Sequence, residues 1–104
     1  MIMVSEDILK LASYVTISSY RRKVMDNLDE GQVKIPTTLA KESDIRTNHI
    51  SKVLRELKDH DLVECINEEV RKGRLYRLTP LGVEVKTHFD DEGGIINETS
   101  GLFS

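Results

Sequence analysis

The chain has 104 residues, enough for one domain and too few for two of ordinary size. Its 38% hydrophobic and 32% charged residues suit a water-soluble globular protein, and an aromatic share of 5% leaves the core to Leu, Ile and Val. A net charge of −3 and a pI near 5.6 argue, for the chain as a whole, against a partner as negative as DNA. The order of charges changes that conclusion. Residues 90–104 hold four of the 18 acidic residues and none of the 15 basic ones, so residues 1–89 carry 15 basic against 14 acidic groups. No stretch approaches the length of a membrane span. The N-terminus has acidic residues where a targeting signal needs basic ones, and Cys65 is a lone cysteine, so the expected location is cytoplasmic and no intrachain disulfide can form.

Residues 5–12, SEDILKLA, predict a short helix with Ser5 as cap, Glu6 and Asp7 at its positive end, and Ile8, Leu9, Leu11 and Ala12 as its apolar side. Tyr14, Val15 and Ile17 interrupt that pattern. A second helix is expected from Ser18 or Ser19 to about Asp29, with Tyr20, Val24, Met25 and Leu28 on one face and Arg21, Arg22 and Lys23 mostly off it. The basic triplet reads either as a solvated surface or as a phosphate contact. Glu30 and Gly31 end this helix, and Gln32 to Ile35 alternate in the manner of a brief strand.

The best-patterned stretch follows, PTTLAKESDIRTNHISKVLRELKDHDL from Pro36 to Leu62. Pro36 suits the first position of a short helix whose Leu39 and Ala40 can pack, and the turn from Glu42 to Ile45 puts Asp44 where positive φ is expected. In the longer helix after it, Ile45, Ile50, Val53, Leu54 and Leu57 share one face, which leaves Thr47, Asn48, Ser51, Lys52 and Arg55 largely on the other. Those side chains match base edges and phosphate oxygens in a major groove. His49 stands at the edge of this face, as a phosphate or base donor or as an ordinary surface residue. Arg46 stands at the positive end of the helix, an unfavourable place unless an outside anion such as a phosphate neutralises it.

Asp61 occupies the place where such a helix commonly ends in Gly. Val63 to Ile66 and Arg74 to Leu78 are β-prone and flank NEEVRKG, which predicts a hairpin with a mobile tip, basic in its second half through Arg71, Lys72, Arg74 and Arg77. Glu68 and Glu69 read as solvation of that tip. Thr79 and Pro80 open a last helix with Leu81, Val85 and Phe89 on one side and Gly82 permitting close packing. Residues 90–104 are acidic, contain glycines and lack a sustained period, so a flexible tail is expected.

The expected fold class is therefore mainly α with a small β-hairpin wing: a winged helix domain over residues 1–89, with a helix-turn-helix at about 36–61 and the wing at about 63–78. More narrowly, YRRKVMDNL at Tyr20 to Leu28, IPTTLAKESDIRTNHISKVLRELKDHDLVE at Ile35 to Glu64 and RKGRLYRLTPLG at Arg71 to Gly82 resemble the small archaeal winged helix transcriptional regulators related to the MarR and ArsR groups. The resemblance covers about residues 18–88. It implies a sequence-specific regulator of double-stranded DNA, with the second helix of the motif in the major groove and the wing on the backbone or adjacent minor groove. Recognition would then fall on Thr47, Asn48, Ser51, Lys52 and Arg55, and wing contacts on Arg71, Lys72 and Arg74. The chain departs from the pattern at Asp44 and Asp61, where Gly is usual, and at Arg46, where many members have a Ser or Thr cap.

Other chemistry finds little support. One cysteine and the scattered His49, His60 and His88 do not make a metal site, the last two reading as solvated helix-end residues. No phosphate loop, nucleophile elbow or placed His and Asp pair suggests an enzyme, and no cofactor is expected. Homodimerisation through the first and last helices is expected, because Ile8, Leu9, Leu11, Val85 and Phe89 offer more apolar surface than a small core requires. The alternative function is a winged helix that binds protein or structured RNA within a larger assembly, favoured by the acidic balance and by Glu68 and Glu69.

Overall fold

The computed structural model describes residues 5–89, so the expected acidic tail lies outside the described residues. The chain forms α1 (Ser5–Thr16), α2 (Ser19–Asp26), α3 (Pro36–Ser43), α4 (Thr47–Asp59), β1 (Val63–Cys65) and β2 (Tyr76–Leu78). A fifth helix, α5, occupies residues 80–89. The two strands pair antiparallel, with Val63 opposite Leu78, Glu64 opposite Arg77 and Cys65 opposite Tyr76.

The helices close around a core of Ile8, Ala12, Val15, Val24, Met25, Leu28, Leu39, Leu54, Leu57, Val85 and their neighbours, all buried. Helix α1 is longer than its sequence pattern suggested. Ile8, Ala12 and Val15 are spaced four and three apart and are all buried, so Val15 continues the inward stripe and does not interrupt it. Ile17, past the helix end, is 79% exposed.

Helix α2 stops at Asp26, three residues before the expected end, and side chains take up the carbonyls at and just past that end. Asn27 Nδ2 donates to Lys23 O at 2.8 Å, Lys34 Nζ to Asn27 O at 2.6 Å, and Lys86 Nζ to Leu28 O at 3.2 Å. Lys86 Nζ also lies 2.8 Å from Asp29 Oδ1, and this hydrogen bond and charge hold the Asp29 carboxyl below the ordinary carboxylate range. The basic triplet is mostly spent within the fold. Arg21 donates through Nη1 to Tyr14 O at 2.8 Å, places its guanidinium 3.9 Å from the Tyr14 ring centroid, and pairs with Glu56 at 3.4 Å. Arg22 pairs with Asp26 at 3.2 Å and lies over the Phe89 ring. Tyr20, expected on the packed face, is instead 40% exposed.

The strand expected at residues 32–35 reduces to one bridge, in which Lys34 and Tyr76 exchange backbone hydrogen bonds at 3.0 and 2.9 Å. This bridge fastens the loop end of the paired strands, where Cys65 meets Tyr76, to the segment before α3. Thr79 locks the other side. Its Oγ1 donates to Asp61 O at 2.6 Å and accepts from Gly82 N at 2.9 Å, the latter being the N-cap bond of α5.

The surplus apolar surface expected for a dimer is largely absent. Ile8, Val85 and Phe89 belong to the core and Leu11 packs against it, so of the five residues only Leu9 is exposed. The histidines also differ from expectation. His88 is half-buried, and His60, though exposed, stacks on Tyr14 with ring centroids 3.7 Å apart.

Asp44 and Asp61 adopt the left-handed conformation their positions call for, with φ of 56° and 59°. A Cβ makes this region costly, and Asp tolerates it better than most residues. Asp61 also sits beside the negative end of α4. Asp61→Gly should therefore raise stability by a few tenths to about 1 kcal/mol in a thermal or urea melt. A lower melting temperature would reveal a favourable role for the carboxylate that outweighs the backbone strain.

Candidate nucleic-acid interface

Helix α4 is built to present one face. Ile45, Ile50, Val53, Leu54 and Leu57 are each at most 6% exposed, and this inward stripe leaves Thr47, Asn48, His49, Ser51, Lys52 and Arg55 all exposed. The helix is set by α3 and the turn between them: Pro36 occupies the first helical position of α3, and Ile45 N donates to Ala40 O at 2.9 Å across the Asp44 turn. Arg46 is the N-cap of α4, with extended dihedrals and no side-chain cap bond. Arg46 is exposed at the helix end whose first N–H groups lack helical partners, an arrangement that attracts an anion.

The hairpin brings the second basic group to the same side. Arg71 and Lys72 are exposed at its tip and, with Arg55 and Lys58 of α4 and Thr37 of α3, line an open cleft of about 500 Å³. The tip is more ordered than its sequence suggests. Asn67 accepts from Leu75 N at 2.7 Å and donates to Gly73 O at 3.1 Å, and Gly73 turns the chain with φ of 72°. Arg74 donates to Val70 O at 2.8 Å and to Glu68 O at 3.4 Å, so it serves the wing's own loop while remaining exposed. Glu68 does more than solvate the tip: its carboxylate hydrogen-bonds Lys58 of α4. Each holds the other charged, the Glu68 carboxyl below its ordinary range and the Lys58 ammonium above it.

The distribution of unspent cations is the feature that sequence reading could not reach. Among the described residues Arg21, Arg22, Lys34, Lys58, Arg77 and Lys86 are in ion pairs, and Arg74 is held by carbonyls. Of the eight remaining basic residues, Arg46, Lys52, Arg55, Arg71 and Lys72 lie on α4 and the wing, and only Lys10, Lys23 and Lys41 lie elsewhere. The unpaired cations of this near-neutral domain are thus gathered mainly on α4 and the wing. Asn48, Thr47 and Ser51 likewise make no side-chain hydrogen bond among the described residues. His49 is the exception on this face, its ring 5.7 Å from that of Tyr20, a neighbour the sequence did not mark as part of the site.

Among solved structures the chain is similar to a mutant of the type III plasmid segregation protein TubR, with a TM-score of 0.72 at 14% identity over 89% of this chain and 97% of that one. It is also similar to the MarR family transcriptional regulator SPO1453 from Silicibacter pomeroyi DSS-3, with a TM-score of 0.66 at 17% identity, covering 93% of this chain and 70% of that one. A MarR family transcription regulator, SP03579, gives 0.67 at 23% identity, covering 96% and 73%. The fold is a winged helix. No family model and no curated protein matches the chain by sequence. Identities this low carry the fold alone. Among the described residues no group of three or more His, Cys, Asp and Glu could hold a metal ion, and no helix is long and apolar enough to cross a membrane.

Proposed function

We propose that this winged helix is a transcriptional regulator that binds double-stranded DNA in a sequence-specific manner, with α4 in the major groove and the wing along the phosphate backbone or adjacent minor groove. The observation that carries the reading is the segregation of charge: cations elsewhere are mostly paired, while Arg46, Lys52, Arg55, Arg71 and Lys72 are left unpaired on the one surface that also offers Asn48, Thr47 and Ser51. Fields from surface charges reach only about a Debye length, so the net charge of −3 is no obstacle. The similar structures include regulators of transcription, which supports the reading without reaching the residues. The narrower likeness to small archaeal regulators rests on the sequence stretches alone.

One winged helix reads few base pairs, so specific affinity calls for a second half-site and hence a symmetric dimer. With Val85 and Phe89 committed to the core, pairing would draw on Leu9 and on partly buried Leu11 and Leu81. The alternative, a protein- or RNA-binding module, draws on Glu68 and Glu69, and the engagement of Glu68 by Lys58 weakens it. The discriminating experiment is retention of fragmented genomic DNA at moderate salt. A few fragments should be held selectively, and retention of none would favour the protein-binding alternative.

A further inference from the structure

The wing should not hold its place unaided. A two-stranded ribbon is at best marginal in water, and this one pairs only three residues on each strand before a long loop. Its base is held by Thr79 and its last strand pair before the loop by the Lys34–Tyr76 bridge, but neither tie is made by the loop that carries Arg71 and Lys72. At the tip the body reaches the wing through Lys58 of α4, which meets the Glu68 carboxylate. Glu68 is well placed to transmit that hold. Its own carbonyl accepts from Arg74, and its neighbour Asn67 carries the hydrogen bonds to Gly73 and Leu75 that close the loop.

Building on the DNA-binding reading, we propose that Glu68 is a positioning residue of the interface: by holding Lys58 it sets the wing against α4 so that Arg71 and Lys72 reach the phosphate backbone. This gives an acid beside a basic cleft a favourable role, where electrostatics alone makes it a repellent. The two roles have opposite signs. Glu68→Gln removes a negative charge near the DNA, so a merely repulsive Glu68 predicts tighter binding. A positioning Glu68 predicts weaker binding, to preferred and random DNA alike, because the interactions it serves are with phosphates.

Two measurements test the proposal. Without DNA, limited trypsin digestion cuts after Arg71 and Lys72. Glu68→Gln and Lys58→Gln should each speed that cleavage about two- to fivefold, the range expected for losing an exposed ion pair, and the double variant should be no faster than either single one. With DNA, Glu68→Gln should lower affinity by a similar factor and flatten the dependence of log K on log salt. In a Lys58→Gln background it should then change nothing further. Unchanged cleavage, or tighter DNA binding by Glu68→Gln, overturns the proposal. If the parent protein itself binds no DNA, the functional reading fails first and the proposal falls with it, while the cleavage result still reports whether Lys58 and Glu68 hold the wing.

Discussion

Truncating the two basic surfaces will produce two different failures. Asn48→Ala or Lys52→Ala should cost roughly 1–3 kcal/mol on the preferred site and much less on random DNA, because an Asn or Lys that meets a base edge discriminates while a bond to phosphate does not. Arg71→Ala or Lys72→Ala should weaken both about equally and lower the slope of log K against log salt by about one for each phosphate no longer neutralised. The structure sharpens this expectation. Asn48, Lys52, Arg71 and Lys72 have no side-chain partner among the described residues, so their removal breaks nothing inside the monomer and any loss is a loss of binding. Arg74 is a poorer probe, since Arg74→Ala would also release Val70 O and Glu68 O and disturb the loop. Fluorescence anisotropy across a salt series separates the outcomes. Wing variants that lose affinity only for the preferred sequence would mean that the wing reads a groove directly.

The second large effect is on the fold. Gly82→Ala should destabilise the protein by about 3 kcal/mol, the upper part of the usual range for forcing an atom into a filled interior. A Cβ at residue 82 would stand 2.0 Å from Leu62 O, a backbone atom that cannot swing aside. Leu62 O also accepts the Thr79 N–H at 3.1 Å, so the clash falls on the junction where the end of α4, the start of the hairpin and the cap of α5 meet. Moving it would disturb Asp61, whose carbonyl takes the Thr79 hydroxyl. Gly73→Ala is the control. Its added Cβ would touch nothing within 4 Å, and its φ of 72° would still be strained, so it should cost about 1 kcal/mol. A urea melt in which the two variants behave alike would show that the α5 junction yields more easily than its geometry implies.

Local chemistry decided much of this protein from the sequence alone. The inward stripe of α4, its polar outer face, Pro36 at the head of α3, Thr79 and Pro80 at the head of α5, and the left-handed turns at Asp44 and Asp61 are each readable from periodicity or from the backbone preferences of single residues. These signals act over a few residues, and the structure follows them. What they could not determine depends on neighbours distant in the chain. Just past the end of α2 at Asp26, Lys34 and Lys86 take up nearby carbonyls. Arg21 turns inward because Tyr14 and Glu56 converge on it from α1 and α4. Val85 and Phe89, which looked like surface for a partner, are consumed by the monomer's own core. Glu68 changes from a solvating acid to a partner of α4. The same holds for the interface: composition gives only a net charge of −3, whereas long-range pairing selects which cations are cancelled and which five stay unpaired on α4 and the wing. Charge balance is a sum over residues, but the field that a partner meets depends on where the uncancelled charges lie, and tertiary packing decides that.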